Sequence, residues 1–221
     1  MRRWDNVLFD LDGTLTDPKQ GITTAVSVAL RHFGIEEEPD RLTKFIGPPL
    51  AAAFREFYGL SEDDSLEAVR QFRVYFANRG WAENVPYPGM HETLARLRGA
   101  GLRLIVATSK PEVFAVRILE HFGMIGCFDL VCGAPLEDQK AAEKDRIIRT
   151  ALERAGICDL SRTVMVGDRK HDIEGAHAVG LPAIGVLYGY GGREELEKSG
   201  ADAIVGTVEE LETLLREGEN T

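Results

Sequence analysis

The chain has 221 residues, 44% of them hydrophobic and 28% charged, which is typical of a globular protein that can bury a full core. A formal net charge of −10 argues against nucleic acid and anionic membrane surfaces as partners, and we expect neither. No stretch approaches the roughly 20 apolar residues of a membrane span, and the charged start lacks a signal-peptide core, which predicts a cytoplasmic protein. Three cysteines without Cys-x-x-Cys spacing are expected to be reduced thiols.

The first predicted element is a short buried strand, Val7 to Phe9, followed at once by two acidic residues. Asp10 and Asp12 leave this strand at its carboxyl end, and Gly13 ends the apolar run. In open α/β sheets, ligands bind at the carboxyl ends of the strands. Two adjacent carboxylates repel each other, so they need a cation, a shared proton or different protonation states. The pair therefore indicates a functional site rather than a solvated turn.

A helical block without a convincing strand follows, from Pro18 to about Tyr87. The apolar spacing predicts three helices there, over residues 21–33, 48–58 and 63–79. Pro86 and Gly89 mark a linker that returns the chain to a different pattern. We therefore predict a separate all-α domain of residues 18–85, inserted after the first strand.

Helices and short apolar strands alternate from Pro88 onward. The strands are predicted over residues 103–108, 128–132, 163–167, 182–186 and 203–205. The helices are predicted over residues 90–100, 112–122, 144–155, 172–179 and 208–217. Such alternation is typical of a parallel sheet with crossover helices, so residues 1–17 and 86–221 are predicted to form a Rossmann-like α/β core. The glycine-rich residues 188–192 lack a dinucleotide-binding spacing and are predicted to be a flexible loop near the site.

Three later segments carry polar residues that suit the same site. Two hydroxyl side chains and one acidic side chain lie at the ends of predicted strands. A second acidic residue lies four positions after the first, and a lysine lies at the start of a predicted helix. These residues are Thr108, Ser109, Asp168, Asp172 and Lys144. Each has an ordinary alternative, since the hydroxyls or Asp168 could cap the following helix and Asp172 could be a solvated helical acid. Lys110 and Lys140 are rivals of Lys144 for the role of site lysine.

The order of these motifs resembles that of the haloacid dehalogenase superfamily, in particular its aspartate-nucleophile phosphatases with a helical cap. The matching strings are Phe9-Asp10-Leu11-Asp12-Gly13-Thr14-Leu15, Thr108-Ser109, Lys144, and Gly167-Asp168 with Asp172. The resemblance implies a core sheet with strand order 5-4-1-2-3 and a cap over the strand ends. It also implies a Mg²⁺-dependent phosphatase that acts on a small phosphorylated metabolite through an aspartyl-phosphate.

The requirements of phosphoryl transfer then assign a role to each candidate residue. Asp10 is the candidate nucleophile and Asp12 the candidate general acid and base. Mg²⁺ is expected on the side chains of Asp10 and Asp168 and the backbone carbonyl of Asp12. Asp172 would be a further metal ligand or would orient a bound water. The expected phosphate contacts are Thr108, Ser109, Lys144 and the backbone at Gly13, and Lys144 would also offset charge in the transition state.

The substrate and the subfamily stay open at this point. Residues 47–50 resemble a segment of phosphoglycolate phosphatase-like members, whereas Arg169 and His171 resemble a 5'-nucleotidase-like branch. A phosphomutase similar to β-phosphoglucomutase is the alternative enzyme. A non-enzymatic phosphoacceptor signalling domain is a more distant alternative. The sequence does not decide between a monomer and a homodimer.

Overall fold

The computed structural model describes residues 3–136 and 143–216, and the chain divides into two units. The first unit comprises Met1–Asp17 and Pro86–Thr221, and the second comprises Pro18–Val85. The second unit is therefore an insertion in the first unit, between Asp17 and Pro86.

The strands form one large sheet in the first unit and two short segments where the chain passes between the units. In chain order they are β1 (Asn6–Phe9), β2 (Thr16–Asp17), β3 (Val85–Pro86), β4 (Arg103–Pro111), β5 (Leu130–Ala134), β6 (Thr163–Gly167), β7 (Ala183–Val186) and β8 (Ala203–Val205). The large sheet has the order β5-β4-β1-β6-β7-β8, and all neighbouring strands are parallel. Numbered along the chain within this sheet and read from its β8 edge, the order is 6-5-4-1-2-3. The predicted α/β class and the order 5-4-1-2-3 are thus confirmed, with one more strand at the edge.

Nine α-helices lie in the described part of the chain. They are α1 (Lys19–His32), α2 (Leu50–Tyr58), α3 (Glu62–Tyr75), α4 (Met90–Gly99), α5 (Glu112–His121), α6 (Lys144–Ala155), α7 (Lys170–Ala178), α8 (Arg193–Lys198) and α9 (Val208–Arg216). Within residues 3–136 and 143–216, none is long and apolar enough to cross a membrane. Helix α8 is absent from the sequence-based prediction, and the predicted end of α9 at Glu217 lies outside the described residues.

The second unit is helical, but its details differ from the prediction. The expected helix over residues 63–79 is α3 followed by a π-helical turn, Phe76–Gly80. At this turn the backbone approaches α1 closely, since a Cβ on Gly21 of α1 would lie 2.1 Å from the carbonyl oxygen of Gly80. A 3₁₀ helix, Pro39–Phe45, precedes α2. The expectation that no strand lies between Pro18 and Tyr87 is also wrong, since β3 is a two-residue strand within that stretch.

The register of the central strand brings three strand ends together. Phe9, the last residue of β1, pairs with Val106 of β4 on one side and with Val166 of β6 on the other. The Asp10 amide continues the ladder by donating to the Val166 carbonyl at 2.9 Å. Because β1 is fully buried and paired on both edges, the backbone that carries Asp10 is held by main-chain bonds.

A buried carboxylate joins α4 to α9 in the first unit. Glu212 of α9 accepts hydrogen bonds from Arg96 Nε at 2.8 Å, Thr93 Oγ1 at 3.0 Å and Arg216 at 3.0 Å. The hydrogen bond from Arg96 is the main reason that the pKa of Glu212 is lowered to about 2. Burial opposes this shift, and the bonds from Arg216 and Thr93 add to it. Its ionised form therefore stabilises the fold at neutral pH.

We expect Glu212→Gln to lower the free energy of unfolding by about 1–3 kcal/mol at pH 7, since charge-assisted bonds to a buried acceptor are lost. A depressed pKa contributes stability above the unfolded value, near 4.5, and loses it as pH falls towards 2. The difference between wild type and variant, measured by urea unfolding, should therefore shrink at pH 3. Glu194→Gln is the matched control, because Glu194 is 82% exposed in its pair with Lys198. A loss that does not change with pH would contradict this account.

Candidate active site

Three aspartates lie together at the carboxyl ends of β1 and β6. Asp10 follows β1, Asp168 follows β6, and Asp172 lies in the first turn of α7. Each offers a carboxylate oxygen, and these three oxygens lie within 4.8 Å of one another. All three side chains are buried or nearly so. The alternative that Asp172 is a solvated helical acid is wrong.

Lys144, the first residue of α6, is buried between two of these carboxylates. Its Nζ donates to Asp10 Oδ1 at 2.8 Å and pairs with Asp172 Oδ1 at 2.7 Å. It also donates to the Ala107 carbonyl at 3.2 Å. Burial acts against the charged form, but Asp10 and Asp172 outweigh it and raise the pKa of Lys144. The lysine is therefore a fixed positive charge. Its rival Lys140 lies outside the described residues.

One lysine does not balance three buried carboxylates. Burial, together with Asp172 and Asp10, raises the pKa of Asp168 well above its ordinary value. Burial also raises the pKa of Asp172 to about 6, with Lys144 opposing and Asp10 adding to the effect. Asp168 Oδ1 is buried and receives no hydrogen bond from any described residue. A cluster of oxygen ligands with an unsatisfied buried oxygen fits a hard divalent cation such as Mg²⁺.

Two glycines pack so closely against Asp168 that no larger residue would fit at their positions. A Cβ on Gly13, whose φ is +86°, would lie 2.2 Å from Asp168 Oδ2, and one on Gly191 would lie 1.8 Å from the Asp168 carbonyl oxygen. Between Gly189 and Gly191, the Tyr190 amide donates to Asp168 Oδ2 at 2.8 Å. The glycine-rich segment predicted as a flexible loop is therefore packed against the site and holds one of its carboxylates.

The start of α7 is anchored by α8, a helix that the sequence pattern does not predict. The Arg169 amide donates to Asp172 Oδ2 at 3.1 Å. The Arg169 side chain binds Glu195 of α8 at 2.9 Å, and the Lys170 amide donates to the same carboxylate at 2.9 Å. Arg169, not Asp168, is the residue that caps α7, so the capping alternative for Asp168 is wrong. Glu195 thus fixes the segment between two candidate metal ligands.

The two hydroxyls end the regular part of β4. Thr108 is buried, and its Oγ1 accepts a hydrogen bond from the Lys110 amide at 3.2 Å. Ser109 follows it and is partly buried. Helix α5 begins after Pro111 without a side-chain cap, so the alternative that a hydroxyl caps this helix is wrong. Both side chains lie at the same sheet edge as the three aspartates.

Asp12 has a lysine of its own. Lys110, weighed in the sequence analysis as a rival of Lys144, forms an ion pair with Asp12 Oδ2. The Lys110 side chain is 6% exposed and that of Asp12 is 14% exposed. Burial raises the pKa of Asp12, and Lys110 opposes this shift. The site therefore holds two lysines with different partners, Lys144 with Asp10 and Asp172 and Lys110 with Asp12, a division that sequence spacing alone does not reveal.

A family model for haloacid dehalogenase-like hydrolases matches residues 7–186. The chain belongs to this family, as the resemblance predicts. It is 45% identical to a 5'-nucleotidase from Pseudomonas aeruginosa, over 88% of this chain and 87% of that protein. It is 39% identical to the tyrosine-protein kinase PtkA of Mycobacterium tuberculosis, over 95% of this chain and 72% of that protein. It is 33% identical to a phosphoglycolate phosphatase from Agrobacterium fabrum, over 83% and 80%.

A solved structure from Clostridium acetobutylicum, described as a predicted phosphatase, has the same fold. Its TM-score is 0.91 at 44% identity, with 95% of this chain and 97% of that chain covered. Together with the family, the relatives named phosphatase and 5'-nucleotidase define the chain as a phosphatase that hydrolyses phosphoric monoesters.

We expect Gly191→Ala to lower kcat/KM for 4-nitrophenyl phosphate about 100-fold, because its Cβ would displace the backbone of Asp168, and misplacement by about 1 Å can cost that much. Gly192→Ala is the control, since a Cβ there meets no atom within 4 Å. Equal activities of the two variants would show that close packing around Asp168 is not required for catalysis.

Proposed function

We propose that this phosphatase is Mg²⁺-dependent and works through an aspartyl-phosphate on Asp10. The observation that carries the proposal is the buried cluster of Asp10, Asp168 and Asp172, in which Lys144 pairs with Asp10 and Asp172. The side chains of Asp10 and Asp168 and the backbone carbonyl of Asp12 would hold the metal, with Asp172 as a further ligand or a support for a bound water. When bound, Mg²⁺ would neutralise charge on the phosphoryl oxygens.

In the first half-reaction, an Asp10 oxygen attacks the phosphorus of the monoester. The new bond is Asp10 O–P, and the bond that breaks joins phosphorus to the leaving alkoxide. Asp12 donates its proton to that alkoxide, so the product leaves as an alcohol. Lys144 is within 2.8 Å of Asp10 and offsets charge on the attacking side. Thr108, Ser109 and the backbone at Gly13 are the proposed contacts of the phosphoryl oxygens.

In the second half-reaction, water attacks the phosphorus of the aspartyl-phosphate and the Asp10 O–P bond breaks. Asp12, now a carboxylate, takes the proton from this water. Inorganic phosphate is released and Asp10 returns to its ionised form. The same pair of carboxylates thus serves both steps, with Asp12 changing from acid to base.

For the substrate, we favour a nucleoside 5'-monophosphate over phosphoglycolate. The relative named 5'-nucleotidase is 45% identical over most of both chains, whereas the relative named phosphoglycolate phosphatase is 33% identical. The relative named tyrosine-protein kinase gives a second candidate, in which a hydroxyl group replaces water as the acceptor of the phosphoryl group. A phosphomutase would likewise return the group to a hydroxyl, that of a sugar.

We expect Asp10→Asn to abolish turnover and phosphoenzyme formation, because an amide is a poor nucleophile and a weak Mg²⁺ ligand. The measurement is acid-quenched incubation with a ³²P-labelled monoester, which traps protein-bound phosphate in the wild type. Chelation with EDTA should give the same loss, and added Mg²⁺ should reverse it. Labelled protein or wild-type turnover in Asp10→Asn would disprove the mechanism.

We expect phosphate release in the presence of Mg²⁺ to be faster with nucleoside 5'-monophosphates than with phosphoglycolate or sugar phosphates, in a screen of kcat/KM. Tyrosine-containing peptides and hexose phosphates should be included as phosphoryl acceptors, with product analysis by mass spectrometry. Phosphate found on an acceptor rather than free in solution would favour the kinase-like or mutase-like alternative. A clear preference for phosphoglycolate would overturn the substrate assignment and leave the mechanism intact.

A further inference from the structure

Lys110 is a buried cation for which the proposed mechanism has no use. It lies near the end of β4, and its ion pair with Asp12 Oδ2 is almost entirely shielded from water. A lysine so placed gives up most of its hydration, and the ion pair with Asp12 compensates for part of that loss. The pair is therefore expected to fix the position of both side chains.

The backbone of β4 places Lys110 where it can reach Asp12. The pairing of β4 with β5 is regular up to Thr108 and shifts its register between Thr108 and Pro111. Within this irregular stretch, the Lys110 amide donates to Thr108 Oγ1 at 3.2 Å. Irregularities of this kind redirect side chains at sheet ends, often beside active sites. The same turn thus carries a proposed phosphate contact and the lysine that holds Asp12.

The two oxygens of Asp12 have different surroundings. Oδ2 is bound by Lys110, whereas Oδ1 is buried and has no hydrogen-bond partner among the described residues. An unsatisfied buried carboxylate oxygen costs free energy, so its position calls for a group that arrives with the substrate. The oxygen of a leaving group, or a water in its place, is such a group.

We propose that Lys110 is a positioning residue, which holds Asp12 by Oδ2 so that Oδ1 faces the leaving group and later the attacking water. This inference rests on the proposed function, because it takes Asp12 as the acid and base. Lys110 acts here through Asp12, in contrast to Lys144, which contacts the nucleophile itself.

Removing Lys110 would also be harmful if the ion pair had only a structural role, because the unpaired Asp12 carboxylate would remain buried. The two roles differ in their dependence on the leaving group. A poor leaving group needs a proton in the transition state, whereas 4-nitrophenolate needs little help. Loss of correct positioning should therefore affect alkyl esters far more than aryl esters, while structural damage should affect both alike.

The test is a double-mutant cycle of Lys110→Met and Asp12→Asn, measured with 4-nitrophenyl phosphate and with an alkyl monoester, glycerol 3-phosphate. Lys110→Met should lower kcat/KM for the alkyl ester about 100-fold and the burst rate of 4-nitrophenol less than about 5-fold. In the Asp12→Asn background, the same change should have less than about a 3-fold further effect. Lys110→Arg should restore part of the alkyl-ester activity, because it keeps a cation at this position.

Lys198→Met is the matched control, because Lys198 is 75% exposed and should leave both rates unchanged. If a thermal unfolding measurement shows that Lys110→Met is not folded, Lys110→Gln takes its place, because glutamine keeps a hydrogen-bond donor. Equal losses for both esters, or an undiminished loss in the Asp12→Asn background, would overturn the role of Lys110. Failure of the proposed function would be distinct, since the wild type itself would then form no phosphoenzyme with either ester.

Discussion

The site depends on keeping three like charges close together where water cannot separate them. At about 4 Å and an effective dielectric constant near 20, two unit charges interact with about 4 kcal/mol. Asp10, Asp168 and Asp172 have oxygens within 4.8 Å of one another, and only the ammonium of Lys144 pairs with them among the described residues. The paired strands β1 and β6 and the anchored start of α7 hold the carboxylates despite this repulsion. The fold thus holds together three carboxylates whose mutual repulsion a divalent cation would relieve.

Two lysines compensate the negative charge of different carboxylates in the site. Lys144 is the first residue of α6 and binds the carboxylates of Asp10 and Asp172, whereas Lys110 lies near the end of β4 and binds Asp12. Asp10 and Asp12, the proposed nucleophile and the proposed acid, are thereby held by separate cations, although they are two residues apart in the chain. This separation lets neighbouring carboxylates have different environments, which is how paired acids acquire different roles.

Much of the fold could be predicted because its signals are local. The apolar run at β1 and the acid that ends β6 each identify a strand end from a few adjacent residues. Contacts between distant segments could not be predicted in this way. Helix α8 has six residues and a single buried apolar side chain, Leu196, so it lacks periodicity. The partner of Lys110 and the packing of Gly191 against Asp168 likewise arise only when segments far apart in sequence meet.

The most direct test of the central claim is the thermal unfolding midpoint of the wild type and Asp168→Asn, with and without Mg²⁺ at constant ionic strength. Asparagine keeps an oxygen for the Tyr190 amide but removes one negative charge from the cluster. If carboxylate repulsion is relieved by a bound cation, Mg²⁺ should raise the midpoint of the wild type. Asp168→Asn should unfold at a higher temperature than the wild type without Mg²⁺ and should not respond to it. An equal Mg²⁺ shift in both proteins, or none in the wild type, would contradict the account.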